Sequence, residues 1–250
     1  PVNAAAQAAQ LESHHVRVVI NNGFARTEVE QVFLNPNAFA LEAIYTAPVP
    51  EGGALSELRI WAGEKVLNGE VVPKEEAEAI YQEEKSRGNE VAKASQNSYQ
   101  NFEFMVASVP PGGSARMRYV YYEPLPIDTG VGRYTYRLEE GGTDEAAEAF
   151  WMRNDVVTTD FSVEVTLKSA WPIAKTRAPG FAGAVETIDD KTLRYRYASQ
   201  GGSLDQDFVF YYMLAEELPG RLDMVTYREN EDRPGTFMMV MTPGVDLRPL

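Results

Sequence analysis

Between His15 and Leu34, apolar and polar residues alternate on both sides of one Asn21-Asn22-Gly23 turn, and no other feature narrows the fold as much. Val16, Val18 and Ile20 share one face, with Arg17 opposite; after the turn, Thr27, Val29, Gln31 and Phe33 oppose Arg26, Glu28 and Glu30. A side-chain period of two belongs to a strand and cannot be laid on a helix of period 3.6. The turn supplies residues that tolerate positive φ, so the two runs predict an antiparallel hairpin with one dry and one wet face. Asn35-Pro36-Asn37 ends it,.

Further strand-like runs are Leu41–Ala47, Leu55–Ala62, Lys65–Val72, Phe102–Val109, Ala115–Glu123 and Arg133–Leu138. After an acidic stretch at 139–159 they resume in Phe161–Lys168, Thr192–Ala198, Asp207–Leu214, Leu222–Tyr227 and Thr236–Thr242. The text predicts a mainly β chain: an antiparallel β-sandwich-like domain with one α-helix, followed by a second, smaller all-β unit. We expect a flexible leader over 1–14, a first domain over 15–138, a linker over 139–155 and a second domain over 156–250.

The one helix is expected within Leu67–Ala92. Pro73 suits a first helical position, Glu75, Glu76 and Glu78 crowd the first turn, and Lys85 and Arg87 precede a terminating Gly88,. Ala77, Ile80 and Tyr81 form a short apolar stripe, too narrow to stand alone in water, so the helix is expected to lie on a sheet. A second short helix is predicted from Asp144 to about Met152.

The charge of −14, from 23 basic and 37 acidic residues with no basic run, argues against a nucleic-acid partner,. No apolar run approaches the roughly 20 residues of a membrane helix, so no membrane-embedded segment is expected. Cysteine is absent, which removes disulfides and thiolate metal sites,. A hydrolytic triad would need His14 or His15, read as solvated residues where the leader meets the first strand. Asp205 and Asp207 face the same way at the start of an apolar strand and read as a structural pair, with Arg221 as partner, in preference to a calcium site,. Trp61, Trp151 and Trp171 could build a sugar-stacking face, although most aromatics on strands are packing. The residues therefore predict no catalytic, cofactor-binding or metal-binding set, no cofactor, and no enzyme.

One ordered set of residues resembles a known module. Phe33, Asn35-Pro36, Leu41-Glu42-Ala43, Tyr45, Pro48 and Pro50-Glu51 come first; Gly69-Glu70, Lys74, Ala77, Tyr81 and Gly88 follow. Asn101-Phe102, Val106, Pro110-Pro111-Gly112, Tyr119 and Tyr121 complete the set. In this order they resemble the VIT domain (vault protein inter-alpha-trypsin). The second half resembles the segment after VIT in bacterial proteins related to inter-alpha-trypsin inhibitor heavy chains, through Trp171-Pro172-Ile173, Leu204-Asp205-Gln206-Asp207 and Leu218-Pro219-Gly220-Arg221. In that architecture a von Willebrand A domain with a D-x-S-x-S metal site follows; Asp160-Phe161-Ser162-Val163-Glu164 lacks the second serine.

The resemblance implies a non-enzymatic structural or interaction module that positions such a domain on an exported or cell-surface protein, with the periplasm as another compartment. The implied partners are a protein, its own downstream von Willebrand A domain, extracellular matrix or a glycan. A carbohydrate-binding β-sandwich is the alternative reading.

Overall fold

The computed structural model describes residues 7, 9–50, 52–62, 65–68, 92–96, 101–128, 130–138, 156–215, 221–228, 232 and 234–242. In chain order the strands are β1 (Gln10–Asn21), β2 (Phe24–Leu34), β3 (Leu41–Pro48), β4 (Ala54–Ala62), β5 (Lys65–Asn68), β6 (Ala92–Gln96), β7 (Asn101–Val109), β8 (Ser114–Pro124), β9 (Ile127–Asp128) and β10 (Val131–Tyr136). They continue with β11 (Val156–Lys168), β12 (Ile173–Arg177), β13 (Ala184–Asp189), β14 (Thr192–Ser203), β15 (Phe208–Leu214), β16 (Arg221–Tyr227) and β17 (Thr236–Thr242). The fold is mainly β, as the alternation predicts. The helical stripe of Ala77, Ile80 and Tyr81 and the segment 144–152 lie outside the described residues. Leu67, Asn68 and Ala92, at the margins of the expected helix, belong to strands β5 and β6.

An eight-stranded sheet has the order β13-β14-β11-β1-β2-β8-β4-β5, and a four-stranded sheet the order β12-β15-β10-β9. The β1–β2 hairpin turns on Asn22, whose φ of 54° is the left-handed conformation that asparagine tolerates,. Its inward residues Ala25, Thr27, Val29 and Phe33 are each 0–1% exposed, following the alternation read from sequence. Facing them across the interior are Tyr134 and Tyr136 of β10 and Phe208, Phe210 and Tyr212 of β15, all buried. The two sheets thus form a sandwich whose filling is largely aromatic, with the Tyr195 ring tilted against Phe208 and Phe210 at 5.8 and 5.5 Å between ring centroids,.

The hydrogen bonding does not stop at the expected linker. β1 pairs in parallel with β11 from Ser13↔Asp160 to Asn21↔Lys168, and β10 pairs antiparallel with β15. Strands from both sides of 139–155 therefore share two sheets and one hydrophobic core. The expected leader is corrected as well: β1 begins at Gln10, and Leu11 is 1% exposed in that core.

Two smaller sheets complete the described residues, β3-β7-β6 and the β16-β17 ribbon. Asn35 fastens the first hairpin to the β7–β8 turn. Its side-chain amide donates to the carbonyls of Phe39, Val109 and Pro110 at 2.9, 3.0 and 3.1 Å, and its Oδ1 accepts from the Asn37 backbone at 2.9 Å. The asparagine of the F-x-N-P motif is thus a buried clamp between loops.

Candidate functional site

A polar string runs through the sandwich interior. The ring of His14 on β1 is 0% exposed and contacts the Tyr136 hydroxyl through Nε2 at 2.9 Å. The Gln31 amide nitrogen donates to His14 Nδ1 at 3.3 Å, which leaves the imidazole proton on Nε2 to be donated to Tyr136,. Tyr136 in turn hydrogen-bonds Tyr119, while Tyr134 bonds both Thr27, at 2.8 Å, and Tyr121. Burial, and then the neighbouring His15, depress the His14 pKa from 6.5 to about 3, so the ring is neutral at physiological pH,. Burial likewise raises all four tyrosines above their ordinary value.

These are donors and acceptors held in fixed tautomers and sealed from solvent. Such a string specifies the packing of β1, β2, β8 and β10. At its end Glu123 is buried, and burial raises its pKa to about 7 against the opposing attraction of Arg137.

The expectation that His14 is solvated is therefore wrong. His15 is half-buried on the outer face, where Nδ1 meets Ser162 Oγ of β11 at 2.7 Å. Glu30 lies directly across from His15 on β2, which places Ser162, His15 and Glu30 in one row across three strands. Glu30 is engaged by Arg116, and the row lies on a sheet face whose backbone N–H groups belong to the strand ladders. An oxyanion site needs free, convergent donors, and this row offers none among the described residues.

The rest of that outer face is a lattice of ion pairs. The Glu28 carboxylate accepts from Arg17 and Arg26 at 3.0 Å and from Arg118 at 2.6 Å, and Arg118 reaches Glu57 at 2.9 Å with its other amino group. The Arg118 hydrogen bond first, aided by Arg26 and Arg17 and opposed by burial, lowers the Glu28 pKa to about 2. Farther along, Arg194 and Arg196 both approach Glu164 and Glu186.

The remaining sequence candidates are placed as follows. Asp207 Oδ1 accepts the Leu138 backbone N–H at 2.8 Å, tying the start of β15 to the end of β10, while Asp205 is exposed. The side chain of Arg221, their expected partner, lies outside the described residues, as does Trp151. Trp61 carries the Arg116 guanidinium 4.5 Å above its ring, and Trp171 packs against the core. Neither is an open stacking platform.

Sequence reasoning named the runs Leu222–Tyr227 and Thr236–Thr242 but not what they expose. In the β16–β17 ribbon Leu222 opposes Met241, Met224 opposes Met239, and Thr226 opposes Phe237. Five of these six are large apolar side chains, 52–72% exposed on one face. The signal was present as two alternating strands with methionine and phenylalanine at facing positions.

Residues 11–121 match the family model described as the vault protein inter-alpha-trypsin domain. Protein mono-ADP-ribosyltransferase PARP4 of Mus musculus is 26% identical over 129 residues, 52% of this chain and 7% of that protein. An inter-alpha-trypsin inhibitor heavy chain of Homo sapiens is 28% identical over 132 residues, 52% of this chain and 10% of that protein. The chain thus spans a small part of these relatives. A candidate nutrient binding protein from Legionella pneumophila superposes with a TM-score of 0.52 at 12% identity, covering 83% of this chain and 67% of that one. A zinc metallopeptidase from Deinococcus radiodurans superposes with a TM-score of 0.48 at 9% identity, covering 94% of this chain and 48% of that one.

Proposed function

We propose, from the premise that residues 11–121 are a vault protein inter-alpha-trypsin domain, that this chain is a non-enzymatic interaction module whose β16–β17 ribbon seats a von Willebrand A domain of the same exported polypeptide. The observation that carries the reading is the apolar face of that ribbon. An isolated two-stranded ribbon is at best marginally stable in water, and one with Leu222, Met224, Phe237, Met239 and Met241 exposed on a single face invites a covering surface,. Methionine-rich faces adapt to a partner's contour, which suits a contact between domains. The buried histidine and tyrosines serve the packing of the sandwich, so the interaction role falls to its surfaces.

The test takes the natural polypeptide that carries this chain together with the von Willebrand A domain proposed to accompany it, and compares it with the Phe237→Asp, Met239→Asp double variant. The expected result is that ribbon amides are protected from hydrogen exchange in the extended protein and lose that protection in the variant, while sandwich amides are unchanged. Ribbon amides that exchange equally fast with and without the extra domain would refute the reading.

A further inference from the structure

The outer face of the four-stranded sheet differs from the ion-paired face of the eight-stranded sheet. Along β15 the outward residues are Tyr211 and Met213, 36% and 39% exposed, and Val131 beside them on β10 is 42% exposed. The register sets Arg177 of β12 on one side of Tyr211 and Arg133 of β10 on the other. Lys175 and Val131 flank Met213 in the same way.

Three cations therefore surround an apolar strip in the middle of the sheet. A groove of about 360 Å³ lies along the β12 side of this strip, lined by Val131, Lys175, Arg177, Tyr211 and Met213 among others, with Arg133 across Tyr211 from it. All three cations are exposed, and among the described residues none pairs with a carboxylate. Asp128 sits beyond Val131 on β9, at the far side of the strip from Lys175 and Arg177. In a chain of net charge −14, where Arg17, Arg26, Arg116, Arg118, Arg194 and Arg196 of the large sheet are all held by glutamates, three cations around an aromatic with no carboxylate partner among the described residues are a local reversal of sign.

We propose that this face binds an acidic protein segment in extended conformation. The charge calls for carboxylates, and the spacing chooses a peptide over an acidic glycan. Lys175 and Arg177 are two residues apart on one strand, as are Tyr211 and Met213, so each pair repeats at roughly 6.8 Å. Alternate side chains of an extended peptide repeat at the same interval. A segment that alternates carboxylate and apolar residues could set its acids against Lys175 and Arg177 while presenting apolar groups to the strip; Arg133 takes a further acid. The contact is open to water on one side, so its affinity is modest and falls with salt.

The experiment titrates the full chain with a fluorescent octapeptide alternating glutamate and leucine, at low and at physiological ionic strength. A chondroitin sulfate oligosaccharide is the second probe. The peptide is expected to bind, to weaken with salt, and to weaken about tenfold in the Arg133→Gln, Arg177→Gln double variant. The Arg196→Gln variant, on the opposite face, should bind as the parent does. Carbodiimide coupling in the unaltered chain, mapped by mass spectrometry, should join a peptide carboxylate to Lys175. No peptide binding at millimolar concentration, equal binding by the double variant, or binding of the oligosaccharide alone would each overturn the proposal.

Discussion

The two outer faces of the sandwich carry arginines to opposite ends. On the eight-stranded sheet Glu28 holds three of them, and Arg118 spans two glutamates with side-chain exposures of 14% and 43%. On the four-stranded sheet Arg133 and Arg177 flank an exposed tyrosine, with no carboxylate opposite either among the described residues. The first arrangement spends its charge internally and stiffens the sheet across strands β1, β2, β8 and β4. The second leaves charge for something outside the molecule. A charged residue on a strand therefore says little alone; its cross-strand neighbour decides whether it stabilises or recognises.

The largest break in that contrast should come from Glu28→Gln. It removes the negative charge and one of the two acceptor oxygens shared by Arg17, Arg26 and Arg118 on a partly buried carboxylate, and after screening by the nearby solvent about 1 kcal/mol of stability should be lost in urea unfolding,. A loss below about 0.5 kcal/mol would reduce the lattice to ordinary surface pairs.

Acid should sharpen the contrast next. His14 has a folded pKa of about 3 against 6.5 when unfolded, so its neutral form supports the fold above pH 6.5 and that support drains away as pH falls toward 3,. Glu28 has a folded pKa of about 2 against 4.5, so its share is intact above pH 4.5 and fades toward pH 2,. Glu123, raised to about 7 against 4.5, works the other way and gains stability over the same range,. The His14 share is therefore read in chains that all carry Glu123→Gln; there, stability measured from pH 7 down to 3 should fall in the upper part of that range,. A His14→Gln variant, less stable at pH 7, should be flatter between pH 6.5 and 4.5. Equal slopes would remove His14 from the account.

The smallest effect should come from the other face. Arg177→Gln should change stability by less than about 0.5 kcal/mol, because no partner is left stranded,. A larger loss in thermal unfolding would mean that this arginine works for the fold.

Much of the architecture was legible from pattern. The dry face of β2 and the hairpin turn at Asn22 followed from alternation and turn chemistry, which are local. His14 was missed because the alternation was begun at His15. Carried back one step from Val16, the same period points His14 inward, while the irregularity between Leu11 and Ser13 breaks the phase and disguises the strand's start,. β13 has every side chain exposed and no alternation to read; its backbone pairing with β14 holds it. The cationic strip was out of reach for a different reason. Lys175 and Arg177 meet Arg133 only through the order β12-β15-β10, which joins segments that no nearby residue pattern connects,.

The parallel pairing of β1 with β11 also has a consequence during synthesis. His15 and Ser162 meet although they are 147 positions apart. At typical ribosomal speeds roughly seven to thirty seconds separate their appearance. Throughout that interval one side of β1 is a bare template, able to recruit a strand from a neighbouring nascent chain. Strand β11, made later, is thus what shields that side of β1, and crowding on polysomes is where this fold is most exposed to error.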